Sequence, residues 1–78
     1  MPQHIASELV ASIAQVHVTV GQRVEAGQEV VLLESMKMEI PLLAEQAGTV
    51  VEVHVSPGDV VQEGDVVVVV DERPGAGR

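Results

Sequence analysis

The chain has no cysteine, no Phe, Tyr or Trp, and a single lysine, Lys37. Without cysteine, no disulfide and no thiolate metal site can staple its 78 residues. A small domain without staples has to obtain its stability from burial alone. With every aromatic residue missing, the core must be built from Val, Leu, Ile and Ala, with Met as filler. Each fully buried Val or Leu contributes about 1.5–3 kcal/mol, so roughly two dozen of them offset the chain entropy of one compact domain.

Positive charge is also scarce. Four Lys and Arg face twelve Asp and Glu, a formal net charge of −8. Such a surface repels phosphate backbones, and there is no aromatic platform on which bases could stack. Nucleic-acid binding is therefore not expected, and neither is attachment to an anionic membrane surface. The longest apolar run, residues 66–70, is far too short to span a bilayer. The first residues lack the basic segment and apolar stretch of a secretory signal, so the expected location is cytoplasmic.

What the sequence does contain is an internal repeat. Residues 13–34 align without gaps on residues 50–71, an offset of 37. Val16, His17 and Val18 meet Val53, His54 and Val55; Gly21 meets Gly58, and Gly27 meets Gly64. The shared glycine spacing implies shared turn geometry.

Both copies read as β structure. Val16, Val18 and Val20 alternate with polar residues, as on a strand with one buried face, and Val53 and Val55 do the same. Gly21 and Gly58 then break the pattern with the backbone freedom of a tight turn. The apolar runs 29–33 and 66–70 suggest strands sheltered on both sides, and their β-branched content argues against helix. Segment 7–14 is compatible with a short helix or with opening strands, and strands are the preferred reading. Residues 1–4 are expected to be loose, and residues 73–78 to form a disordered tail. The predicted fold is all-β: a flattened antiparallel barrel or sandwich of two four-stranded sheets with pseudo-two-fold symmetry, spanning residues 5–72. The two halves are expected to pack face to face around a shared core.

The join between the halves falls at residues 35–43, beside the one lysine. With strands expected on both sides, Lys37 should sit at the tip of a β-hairpin and project into solvent. A long flexible stem on a rigid platform suits a group that is carried, and an exposed ammonium is a poor nucleophile by itself. Taken alone, Lys37 is also readable as an ordinary surface charge, with Met36 and Met38 as marginal core residues. Methionines on an exposed turn fit that reading poorly, whereas adaptable thioethers suit a docking surface.

The string Glu34-Ser35-Met36-Lys37-Met38-Glu39 resembles the biotinylation motif of biotin carboxyl carrier proteins, in which Glu-Ala-Met-Lys-Met is usual. Together with Gly21, Gly27, Gly58 and Gly64, it resembles the biotinyl/lipoyl domain over residues 5–71. The likeness is greatest to the small stand-alone biotinyl proteins of actinobacteria. Ser35 departs from the usual Ala, and there is no inserted thumb between the early strands. The resemblance implies covalent biotin on Lys37, flanked by Met36 and Met38. It implies a biotin protein ligase that recognises Glu34, Ser35, Met36, Met38 and Glu39. It further implies a non-catalytic carrier that serves a biotin carboxylase and a carboxyltransferase acting on an acyl-CoA or similar acceptor, within fatty acid metabolism. A monomer is expected.

Two other functions remain to be weighed. A lipoyl domain of a 2-oxo acid dehydrogenase or glycine cleavage system shares the fold and the lysine. Those domains typically place Asp before the lysine and Ala after it, where this chain has Met36 and Met38. An unmodified structural β-sandwich module shares the repeat but has no use for the lysine. An enzyme with its own site is less well supported. His17 and His54 hold equivalent repeat positions on the polar phase of their strands, and His4 lies in the expected loose segment. Glu25, Glu29, Glu63 and Asp65 read as a solvated rim. No catalytic residue, metal-ligand set or phosphate-binding loop is apparent.

Overall fold

The 37-residue offset of the sequence is also the offset of the secondary structure. The computed structural model describes residues 2–72. Its strands, in chain order, are β1 (Pro2–Ala6), β2 (Ala11–Val16), β3 (Arg23–Val24) and β4 (Glu29–Ser35). Then come β5 (Met38–Leu43), β6 (Gly48–Val53), β7 (Val60–Val61) and β8 (Val66–Asp71). Moving β2 and β3 forward by one repeat length lands on β6 and β7, residue for residue.

The strands form two four-stranded antiparallel sheets, ordered β1-β8-β6-β3 and β5-β4-β2-β7. The all-β, two-sheet architecture read from the sequence is the one observed. The expected face-to-face stacking of halves is not. Each sheet takes two strands from each repeat, and the pseudo-two-fold relation exchanges the sheets. The reason lies in the apolar runs. β4 and β8 are buried on both faces and need a neighbour on either side. Each repeat supplies only one of the two: β2 and β6 respectively. The other neighbour, β5 for β4 and β1 for β8, comes from the opposite repeat.

Backbone hydrogen bonds between the repeats follow the same symmetry. The Ser7 N–H donates to the Asp65 carbonyl at 2.9 Å, and the Ala44 N–H donates to the Gln28 carbonyl at 2.9 Å. The turn glycines Gly21 and Gly58 have φ of +94° and +95°. Their amides donate across the repeats to Val50 and Ile13, at 2.7 and 2.8 Å. The core between the sheets is aliphatic, with Val24, Val30, Val31, Leu33, Val50, Val67, Val68 and Val70 wholly buried. β8 lies inside its sheet, so its valine run presents no edge for pairing with another chain.

Four local expectations need correction. Residues 2–4 are not loose: the first strand begins at Pro2, ahead of the expected domain start at residue 5, and pairs with β8. The Glu45 N–H donates to Gln3 Oε1 at 2.6 Å, and Gln3 Nε2 donates to the Gln46 carbonyl at 3.3 Å. These long-range bonds leave no local pattern in a sequence. Secondly, β2 ends at Val16 and β6 at Val53: Val18 is buried and Val55 half-buried outside any strand, while Val20 is exposed as the chain enters the Gly21 turn. Thirdly, segment 7–14 is strand only from Ala11, and residues 7–10 connect β1 to β2. Fourthly, the interleaved sheets replace the stacked halves. The expected tail, residues 73–78, lies outside the described residues.

Candidate functional site

The β4–β5 hairpin is pinned from its base. Leu33 pairs with Ile40, Glu34 with Glu39 and Ser35 with Met38, which leaves Met36 and Lys37 as a two-residue loop. Leu33 is wholly buried and Ile40 packs against the core, so the register is fixed by burial on one face. Met36 and Lys37 both have positive φ, +53° and +65°. Two positive central residues mark a type I′ turn, whose twist matches that of the flanking strands. The turn normally takes Asn-Gly, and side chains such as Met and Lys in this conformation cost about 1–3 kcal/mol each. The paired strands beneath impose the turn on residues that would not choose it.

This geometry places Lys37 where the sequence put it, at an exposed hairpin tip. No described residue pairs with its ammonium. Met36 is 91% exposed and Met38 63%, so neither is a core residue. Ser35 is half-buried, and Glu34 and Glu39 are exposed. The five flanking positions thus surround the lysine with thioethers at its sides and carboxylates one pair below.

One element of the site was not legible beforehand. A shallow groove beside the tip brings Val10, Ala11 and Val60 next to Ser35, Met36 and Lys37. Val10 and Val60 are both more than half exposed. Val60 did leave a signal: in the repeat it stands where the other copy has Arg23. Val10, in the β1–β2 connection, left none.

The two equivalent histidines are not part of this arrangement. His17 Nε2 lies 2.6 Å from Glu29 Oε2, and His54 Nε2 lies 2.6 Å from Glu52 Oε1, all at the surface. Glu25 and Glu63 are exposed, Glu29 holds His17, and Asp65 accepts the Gln62 N–H at 2.8 Å to fix a turn. Their roles are local and structural.

An unpartnered primary amine on a rigid exposed turn can form an amide with an activated carboxyl group. The unobstructed Lys37 stem and its apolar neighbours fit a long, largely apolar acyl substituent such as biotin.

Comparison with known proteins gives a consistent result. Residues 1–70 match the biotin/lipoyl family model described as "Biotin-requiring enzyme". A biotin/lipoyl attachment protein of Bacillus subtilis is 47% identical over 44 residues, 56% of this chain and 60% of that protein. The biotinylated protein TB7.3 of Mycobacterium tuberculosis is 54% identical over 44 residues, 56% of this chain and 62% of that one. The match thus spans about three-fifths of these relatives' own length. Among solved structures, the urea carboxylase of Kluyveromyces lactis superimposes with a TM-score of 0.85 at 32% identity. It covers 91% of this chain and 6% of that much longer one. A lipoyl domain of the 2-oxoglutarate dehydrogenase complex of Azotobacter vinelandii gives 0.72 at 24% identity, covering 87% and 96%, and shares the fold. With eight strands among the described residues, set in pseudo-two-fold sheets, and a lysine on the connecting turn, the chain belongs to the biotin/lipoyl attachment family, as a non-catalytic carrier module whose cofactor is covalently attached biotin.

Proposed function

We propose that Lys37 is the residue that carries biotin, in amide linkage, and that the loaded domain serves a biotin-dependent carboxylase. The observation that carries this reading is the Lys37 ammonium itself, exposed and unpartnered on a turn that costs conformational energy to hold. A lysine placed only for solubility would not need that backbone.

The chain's own residues supply position and recognition. Met36 and Met38 offer adaptable apolar contacts on either side of the amine, and Glu34, Ser35 and Glu39 complete the surface read by a biotin protein ligase. The acidic pair below the tip favours a ligase surface that is basic at this contact. No described base pairs with the Lys37 amine, so the ligase has to deprotonate it. When bound, biotin supplies a ureido nitrogen able to accept and release a carboxyl group. The rigid body then presents the arm to a biotin carboxylase and a carboxyltransferase at high effective concentration.

An acyl-CoA acceptor, and with it a place in fatty acid metabolism, is supported by a further neighbour. A single-chain, multi-domain long-chain acyl-CoA carboxylase aligns with a TM-score of 0.82 at 35% identity, covering 87% of this chain and 7% of that one. A cytoplasmic monomer that meets its partners transiently completes the proposal. Lipoylation is not favoured, because Met36 and Met38 stand where lipoyl domains place Asp and Ala.

The test is intact mass after co-expression with a biotin protein ligase, beside a Lys37→Arg control. A gain of one biotinyl group in the parent chain and none in the control supports the assignment. No gain in a folded parent chain overturns it.

A further inference from the structure

Sulfur in this chain is confined to its three methionines, and two of them flank Lys37. At 91% and 63% exposure, Met36 and Met38 have no shelter from small solutes. Met36 also lines the groove that Val10 and Val60 make apolar. The surface that receives a partner is thus also the one most open to oxidation. Resting on the reading that Lys37 is biotinylated, we propose that Met36 and Met38 form a reversible oxidation site at which peroxide blocks the loading of biotin.

The chemistry is two-electron oxygen transfer from a hydroperoxide, here hydrogen peroxide. A thioether lone pair attacks one peroxide oxygen, an S–O bond forms and the O–O bond breaks. The departing hydroxide takes the proton left on the transferred oxygen, so the products are one sulfoxide and one water. Sulfur is oxidised by two electrons and the peroxide is reduced by two. The product turns a flexible apolar side chain into a polar, chiral one, and sulfoxide reductases reverse the change. Beneath a ligase the sulfoxide exchanges water for the apolar Val10 and Val60, and the donors left in the groove are the Ser12 and Ser35 hydroxyls and the very amine to be acylated. Burial of the core is untouched, because neither methionine belongs to it.

The experiment oxidises the unloaded chain with hydrogen peroxide and locates the added oxygen by peptide mass. It then follows loading by a biotin protein ligase with biotin and ATP. Oxygen on Met36 and Met38, an unchanged thermal midpoint, and loading slowed about tenfold or more are the expected results, with recovery after sulfoxide reductases. In the M36L/M38L variant, peroxide should leave the loading rate, whatever its value, unaltered. Loading of the doubly oxidised chain at the untreated rate overturns the proposal alone. So does oxygen on Met1 only, a lowered midpoint, or failure of the reductases to restore loading. An untreated chain that never loads overturns the Lys37 reading as well, so the two failures are told apart.

Discussion

Glu34 and Glu39 stand directly opposite each other on the hairpin that presents Lys37. Both are exposed, and like charges so placed repel. No described cation pairs with either carboxylate. The pair is a local cost that a stability argument alone does not explain. Removing one charge should therefore stabilise the fold while weakening recognition. Glu34→Gln is expected to raise stability by about 0.2–1 kcal/mol, roughly one to a few degrees in Tm, and to slow loading by the ligase. Thermal unfolding at low salt reads the first effect, and a fall in Tm would contradict it.

The turn itself gives a second test. Asn accepts a positive φ far better than Met, and a β-branched residue far worse. Met36→Asn should hold stability or raise it by up to about 1 kcal/mol, whereas Met36→Val should lower it by about 1 kcal/mol or more. Denaturant titration of both variants decides the matter. Equal midpoints would mean that the turn is not held at positive φ in solution.

Lys37→Arg keeps the charge and loses the acylable amine. Its unfolding free energy should stay within about 0.5 kcal/mol of the parent chain, as for an exposed site without partners. A larger loss would show that the tip contributes to the core, against its observed exposure.

The glycines separate two kinds of cost. A Cβ at Gly21 or Gly58 meets nothing within 4 Å, so alanine there pays only for its positive φ. Gly21→Ala and Gly58→Ala should each destabilise by about 1–2 kcal/mol, by similar amounts given their symmetry. Gly48 differs: a Cβ there would overlap the Asp71 carbonyl oxygen and lie 2.7 Å from Val70 Cγ1. Gly48→Ala forces β6 and β8 apart and should cost more than either turn variant. If all three proved equal by denaturant midpoint, the close approach of β6 to β8 would be wrong.

The repeat made much of this legible in advance. Period-2 valines and paired glycines are local signals. β2 and β6 run mostly ahead of the valine alternation expected to mark them, whereas strands β4 and β8, the glycine turns and the exposed Lys37 tip could all be read from sequence. Partner choice could not. Nothing within 37 residues says whether β8 will take β1 or another strand as its second neighbour. β1 was missed for the same reason: only Ile5 marks it as apolar, and what fastens it are the Gln3 bonds to Glu45 and Gln46. The site divides along the same line. The six-residue motif is contiguous and was readable, whereas Val10 and Val60 reach the tip only through the pairing of β2 with β7.

The interleaved sheets make the two poles of the body unequal. The connectivity is that of two identical subunits with exchanged strands, sewn into a single polypeptide. A true pair of such subunits would have two equivalent tips and two equivalent attachment points. Here one of those places is the covalent turn through Met36 and Lys37. At its counterpart, Pro2 merely lies beside Asp71, with no peptide link between them. The two poles of this near-symmetric body are therefore chemically distinct: one presents a lysine on a closed turn, the other two paired strand residues.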